Sequence, residues 1–343
     1  MSRSRIALGV LDQSPIRAGA APADAVRESV ELARLCDTLG YARYWLAEHH
    51  NSRGLAGTAP EILIARIAAA THGIRVGSGG VMLNHYSPLK VAETFRVLEA
   101  LYPGRIDLGM GRAPGSDGKT AVALQLSADA PGSDSFAPKL ATLMAFLEGG
   151  FPDGHPFAGI RAQPESASLP ELWLLGSSDY SAAYAAHLGL PFSFAQFIVG
   201  HGGEAVLAAY RRNYKPSLRG PKPFASLAVF VLCADTEDEA ARLAASRKLW
   251  LLNFFLGREG PFPSPEEALA YPYSARDEEV IRRSGRRNVI GTPGRVRAEL
   301  EQMAEDYGVD EIVAVSICHD FQARLRSYAL LAEIFELPRR PSA

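Results

Sequence analysis

Four short runs hold the residue types that can do chemistry. Trp45-Leu46-Ala47-Glu48-His49-His50-Asn51 is an apolar stretch that stops abruptly in a carboxylate, two imidazoles and an amide. An imidazole titrates near neutrality and suits proton transfer. Side chains alternate between the two faces of a strand. One histidine is therefore expected to face a site and the other the surrounding helices. The run is not H-E-x-x-H and no H-x-H follows the first strand, so the spacing speaks against a metal site. Next, Arg75-Val76-Gly77-Ser78-Gly79-Gly80-Val81-Met82-Leu83 is strand-like but carries glycines where valine or isoleucine belongs. Glycine weakens a strand, so the run needs a reason: close approach of a flat ligand, or a bend or bulge of the sheet. Periodicity leaves both open. Gly109-Met110-Gly111-Arg112 ends a further strand in a planar fork of donors, suited to a phosphate, an anionic ring or a plain salt bridge. Finally, Gly176-Ser177-Ser178-Asp179-Tyr180-Ser181 stands at a strand-to-helix turn. Hydroxyls and free N–H groups there suit an anion, and equally an ordinary helix cap.

The elements that must position these runs alternate from end to end. Strand-like segments cover residues 6–11, 43–47, 74–83, 105–110, 172–175, 191–197, 226–233 and 311–317. Helical spacing of apolar residues covers 24–39, 61–71, 89–101, 135–149, 180–188, 203–213, 236–256, 294–306 and 321–335. Such alternation predicts a parallel sheet, and eight repeats predict closure into an α/β (β/α)₈ TIM barrel. A doubly wound dinucleotide fold is the alternative. Against it, Leu11-Asp12-Gln13-Ser14-Pro15 stands where a G-x-G-x-x-G would follow the first strand. In a barrel all four chemical runs fall at C-terminal strand ends, where that fold keeps its active site. Two segments, 112–133 and 257–290, are longer than structureless loops usually are. The expectation is one barrel domain over 1–343, with 257–290 inserted as a lid.

Composition narrows the partners. The chain has 343 residues with 36 Lys+Arg against 38 Asp+Glu, a balance that offers no attraction to nucleic acid or an anionic membrane. The basic cluster Arg282–Arg287 is local: a solvated loop, or an anion contact over a site mouth. Cys36, Cys233 and Cys318 show no metal or CxxC spacing, which fits packing in a reducing compartment. No apolar stretch approaches the ~18 residues of a membrane span, and Met1–Arg5 runs straight into a strand without a signal-peptide pattern. A cytoplasmic address is expected. Among the aromatics near strand ends, Phe197 is placed to line a ligand cavity.

Taken in order, three motifs resemble the bacterial luciferase-like monooxygenase family over nearly the whole chain. They are Trp45-Leu46-Ala47-Glu48-His49-His50, the glycine strand with Asn84-His85-Tyr86-Ser87-Pro88, and Gly104-Arg105-Ile106-Asp107-Leu108-Gly109-Met110-Gly111-Arg112. Ile290-Gly291-Thr292-Pro293 before a late helix is similar too, and Leu11–Pro15 resembles the start of uncharacterised bacterial oxidoreductases within that family. The resemblance implies a barrel binding FMN, usually reduced. It implies His49 as the catalytic histidine and a cis peptide at Gly79-Gly80 against the flavin ring. Arg112, Ser178 and Ser181 would hold the phosphate, and 257–290 would contain the mobile lid. The implied activity is a two-component monooxygenase: a separate flavin reductase supplies FMNH₂, and with O₂ a small apolar organic substrate is oxygenated. A homodimer is the family expectation. Alternatives are an F420-dependent hydride-transfer enzyme, a non-catalytic flavin-binding relative and, last, a metal-dependent hydrolase. This chain departs from the luciferases at Gly111, where they carry a reactive cysteine, at Ser177, where they are acidic, and at Gln196, where they have tryptophan. Light emission on a long-chain aldehyde is therefore not expected.

Overall fold

The computed structural model describes residues 6–113, 115, 117–124, 135–283 and 288–341. Met1–Arg5, residues 125–133 of the first long segment and residues 284–287 of the basic cluster lie outside the described residues. The strands are β1 Ala7–Asp12, β2 Arg43–Leu46, β3 Arg75–Met82, β4 Ile106–Gly111, β5 Glu171–Gly176, β6 Phe192–Ala195, β7 Ala225–Cys233, β8 Asn288–Gly291 and β9 Glu311–Val315. The helices are α1 Pro22–Leu39, α2 Pro60–Ala68, α3 Pro88–Leu101, α4 Gly118–Leu124, α5 Phe136–Glu148, α6 Asp179–Leu188, α7 Gly203–Asn213, α8 Glu237–Phe255, α9 Pro265–Ala270, α10 Ala275–Arg283, α11 Pro293–Tyr307 and α12 Phe321–Ile334. Strands β1 to β7 pair in chain order, β7 pairs with β9 and β9 with β1, all parallel, so eight strands close a ring. These are the eight strands expected from the sequence. β8 is additional: it pairs in register only with the C-terminal half of β7, Phe230 opposite Asn288 and Cys233 opposite Gly291.

Local chemistry explains the boundaries. Proline opens α1, α2, α3, α9 and α11, where its missing N–H costs no helical bond. α1 buries Leu32, Ala33, Cys36 and Leu39 against the barrel and ends at Gly40, which takes a left-handed φ of 93°. The long segments differ from the expected irregular chain: α4 lies in the first, and α9, α10 and most of β8 lie in the second. For the two helices of the second segment, capping is part of the signal. Ser264 Oγ accepts from the Glu267 N–H, and Ser274 and Asp277 accept reciprocally from each other's N–H, while α10 has no buried residue. Arg282 and Arg283 are exposed and pair with Glu279 within α10. Among the described residues no helix is long and apolar enough to cross a membrane.

The barrel's N-terminal end is plugged by charge. Asp107 of β4, fully buried, accepts from Arg43 Nη1 (2.6 Å), Arg75 Nε (2.7 Å) and Trp45 Nε1 (2.9 Å). Arg43 Nε lies 2.7 Å from Glu311 Oε1 as an ion pair whose N–H is not aimed at the oxygen. The Arg43 guanidinium also sits 4.5 Å from the Trp173 ring centre. Burial works against a charged Arg43, but Glu311 and Asp107 beside it hold its pKa above the usual value. Burial conversely raises the Glu311 carboxyl, with Arg43 opposing. Gly77 makes room for this plug, because a Cβ there would collide with the Asp107 main-chain oxygen and meet its Cβ at 2.5 Å. At the other end, Arg324 of α12 donates to Asp12 (2.7 Å), which also accepts from Tyr44 Oη (2.6 Å), tying the last helix to the first strand.

Candidate active site

At the C-terminal strand ends lies a cavity of about 740 Å³, lined by His49, Gly79, Gly80, Arg112, Ser178 and Ser181 together. Those are the six residues singled out from the sequence. Phe197 and Gly111 line it as well, and a Cβ at Gly111 would meet open space.

One end gathers groups that suit an anion. Arg112 follows β4 and places its guanidinium carbon 4.2 Å from the Tyr180 ring centre, in the first turn of α6. Ser178 is the N-cap of that helix, yet its hydroxyl makes no capping bond. Ser181 is buried one turn on, and a Cβ at Gly176 would sit 2.9 Å from the Ser181 Cβ. Arginine, two hydroxyls and a helix N-terminus thus converge on one spot, which suits a phosphate. Asp179, between the serines, is exposed.

The glycine strand crosses the cavity wall. The Gly79–Gly80 peptide is cis, the geometry the resemblance implies there. Register with β4 shifts between Gly79 and Val81, so the strand carries an irregularity at that point. A Cβ on Gly79 would lie 2.5 Å from Leu11 Cδ1, and one on Gly80 would lie 2.7 Å from the Gly109 oxygen. Of the two explanations left open by the sequence, the bulge is the one seen: the wall is irregular here, and Leu11 and Gly109 take the space that side chains would need, beside a cavity.

The histidines correct one expectation. His49 and His50 both line the cavity, instead of facing opposite sides. β2 stops at Leu46, so strand alternation no longer governs residues 49 and 50, and Asn51 turns the chain at φ 55°. Glu48 is buried and organises this corner. It accepts from the Met82 N–H (3.0 Å), bonds His50 Nε2 (2.8 Å) and accepts from Tyr86 Oη (2.6 Å). Burial, with Glu48 beside it, holds the Tyr86 hydroxyl protonated. His49 Nδ1 is buried and has no hydrogen-bond partner among the described residues. Burial, and secondarily His50, lower the His49 pKa from 6.5 to about 4, so its ring is neutral at neutral pH.

Several cavity residues escaped the sequence reading. α8 contributes Arg247, Trp250, Asn253 and Phe254, and the first strand's loop contributes Gln13. The helix was foreseen; a face of Arg247, Trp250 and Phe254 at helical spacing was the available signal. Among the described residues no group of three or more His, Cys, Asp or Glu side chains is gathered as a metal site.

Comparison with known proteins matches residues 6–311 to the family model described as luciferase-like monooxygenase. An uncharacterised protein, YceB, of Bacillus subtilis (strain 168) is 47% identical over 96% of this chain and 99% of its own. The N-acetyl-S-alkylcysteine monooxygenase of the same organism is 39% identical over 96% of this chain and 98% of its own. The crystal structure of apo-MsnO8 is 43% identical, covers 98% of this chain and 99% of its own, and superposes with a TM-score of 0.89. At fold level only, the oxygenating constituent of 3,6-diketocamphane monooxygenase from Pseudomonas putida, in complex with FMN, covers 98% of this chain and 100% of its own (18% identity, TM-score 0.70). An F420-dependent secondary alcohol dehydrogenase covers 95% and 97% (13% identity, TM-score 0.67).

Proposed function

From the premise that this chain belongs to the luciferase-like monooxygenase family, we propose that it is an FMN-dependent monooxygenase of the two-component kind. Its partner is a flavin reductase that delivers FMNH₂, and it oxygenates a small organic substrate with O₂. One observation carries this reading: the anion subsite of Arg112, Ser178 and Ser181 and the side-chain-free wall at Gly79–Gly80 open into one cavity. That pairing fits a flavin with a phosphate tail, and the relative complexed with FMN supports it.

When bound, the reduced flavin supplies the oxygen-transfer chemistry. The protein's residues bind, orient and exclude water. Arg112, Ser178 and Ser181 hold the phosphate. The main chain of Gly79–Gly80 supports the ring, where any Cβ would be blocked by Leu11 or by Gly109. His49 is the catalytic residue. Neutral at neutral pH, it offers an Nδ1 with no partner among the described residues to take or hold a proton. Trp250 and Phe254, with Gly260 and Pro261 of the 257–290 segment, wall the mouth, and that segment acts as the lid of a single barrel domain. Three free, buried thiols fit a reducing, cytoplasmic setting, and a homodimer is the assembly proposed.

Anaerobic titration followed by stopped flow tests the reading. The protein should bind FMNH₂, and on mixing with O₂ the bound flavin should reoxidise more slowly than free flavin and in resolved phases. Reoxidation at the free-flavin rate would reject a protected oxygenation site, and binding of F420 in place of FMNH₂ would replace oxygenation by hydride transfer. A survivor would enter a substrate screen beginning with N-acetyl-S-methylcysteine, of the class for which the Bacillus relative is named.

The phosphate assignment makes a separate prediction. Arg112→Ala should weaken FMN by about 1.5–3 kcal/mol, the range for a charge-assisted hydrogen bond, while leaving riboflavin, which lacks the phosphate, unchanged. Equal weakening of both flavins by fluorescence titration would move Arg112 away from the phosphate.

A further inference from the structure

Two adjacent imidazoles border the cavity, and they are held differently. The main chain of each is pinned, His49 N–H to the Gly57 oxygen (2.8 Å) and His50 N–H to the Gly115 oxygen (3.4 Å). The rings then part company. The buried His49 Nδ1 has no partner among the described residues. The His50 ring lies with Nε2 2.8 Å from Oε1 of the buried Glu48. Glu48 takes two further donors: Tyr86 Oη donates to the same Oε1 (2.6 Å), and the Met82 N–H donates to Oε2 (3.0 Å). A carboxylate can only accept, so its third partner donates as well. That bond sets the tautomer: a neutral His50 carries its proton on Nε2 and its lone pair on Nδ1. Met82 stands two residues past Gly80, so the same carboxylate ties the imidazole to the strand that carries the glycine wall.

A proton arriving at either ring makes a cation. On His49 that cation would be buried, and His50 beside it disfavours it further. On His50 it would lie against a carboxylate, in a charge-assisted hydrogen bond of roughly twice the strength of a neutral one. We propose that Glu48 is a positioning residue: it holds His50 in the Nε2–H form and presents Nδ1 to the cavity as a second proton acceptor beside His49. The proton taken by Nδ1 comes from an O–H or N–H of a bound molecule. The Nε2–H stays on Glu48 throughout. The imidazolium then returns the Nδ1 proton to water at the cavity mouth, which the 13% exposed His50 side chain reaches. Tyr86 adds a second donor to the Glu48 oxygen that His50 uses. The acceptor role rests on the reading of the cavity as a flavin and substrate site; the tautomer does not.

Nitrogen NMR of the full-length protein with isotope-labelled histidine tests the positioning, His50 being assigned among the eight histidines by its loss in His50→Gln. At mildly alkaline pH, with or without FMN, wild-type His50 should show a bare Nδ1 and a protonated Nε2. Glu48→Gln should break that preference, because an amide that still serves the Met82 N–H with its oxygen turns its NH₂ toward His50 Nε2. Tyr86→Phe keeps the carboxylate and should keep the tautomer. A wild-type His50 protonated on Nδ1 overturns the proposal, and that arm needs no variant to fold. So does an unchanged tautomer in Glu48→Gln. Chemical rescue tests the acceptor role. His50→Ala should lower turnover with the best substrate of the screen by about 10²-fold, and added imidazole should restore part of it, while Glu48→Gln, whose ring is present but misdirected, should not respond. A loss in His50→Ala that imidazole does not repair removes the acceptor role and leaves Glu48 a structural brace. Failure of wild type to bind FMNH₂ sinks the flavin reading instead, and the tautomer measurement still decides the role of Glu48.

Discussion

Asp107→Ala should destabilise the barrel by about 3–5 kcal/mol, the cost of breaking a buried ion pair from one side. The residue has no exposure and accepts from two guanidinium groups and an indole. Arg75 is part-exposed and also pairs with Glu171 (3.0 Å), so it has water and a second carboxylate to turn to. Among the described residues Arg43 keeps its ion pair with Glu311, at poor hydrogen-bonding geometry, with Glu171 adding to the field, and it stays buried against the Trp45 and Trp173 rings. An uncompensated cation in that position dominates the loss; the few methylene groups removed add little. Asp107→Asn should fall between, since the amide oxygen still accepts while the charge is gone. Urea unfolding of the three proteins reads this directly. A change below about 1 kcal/mol for the alanine variant would mean that water enters the plug and solvates Arg43. Because the plug lies at the end opposite the cavity, FMN affinity should follow only the folded fraction.

The contrast between that plug and the catalytic rim shows what was readable in the chain. The eight barrel strands announced themselves as short apolar runs, since strands buried on both faces carry hydrophobic residues without alternation. Arg43 and Glu311 read as ordinary charged strand starts. Only barrel closure, which sets β1 between β2 and β9, brings them into one buried cluster. Gly77 belongs to the same lesson: the space it leaves is filled by Asp107, so its reason lies on the next strand and not in the local pattern. The motif residues around the cavity were legible because each sat at a strand end beside an abrupt change of polarity. The orientation of the two histidines was not, because the strand whose alternation would set it ends three residues before His49. Arg247 offered a weaker sign, its helical spacing with Trp250 and Phe254 on α8. An arginine on an amphipathic helix reads as a solvent-facing residue, whereas here it is buried on the Phe230 ring of β7 and bonded to Asn288 of β8. β8, α9 and α10 lie in the segment read as irregular, where helix formation depends on serine and aspartate caps more than on a buried face.

The largest functional effect is expected at His49. His49→Ala should lower turnover with the best substrate of the screen by about 10²–10⁴-fold, the usual contribution of a positioned acid or base. FMN affinity should stay within about threefold, because the phosphate subsite is built from β4, β5 and α6 and shares no bond with the histidine. The structural reason to single out this imidazole is its state. It lines the cavity with a buried Nδ1 that has no partner among the described residues and a pKa pulled down to about 4, whereas His50 is engaged by Glu48 and Tyr86. A neutral ring can accept a proton throughout the neutral range, so turnover limited by His49 should be flat from pH 6 upward and fall as pH drops toward 4. Stability has the same sign. The folded pKa lies below the ordinary 6.5, so the unfolded chain binds the proton more readily in that window. The stability that depends on a neutral His49 is complete above about 6.5 and is lost as pH falls through the window toward 4. His49→Gln keeps a polar group of similar reach but does not titrate. It should be as inactive as the alanine variant, yet lose less stability than wild type between pH 7 and pH 5. Undiminished turnover in the glutamine variant would assign His49 a packing role and shift the proton-handling question to the Glu48–His50–Tyr86 corner.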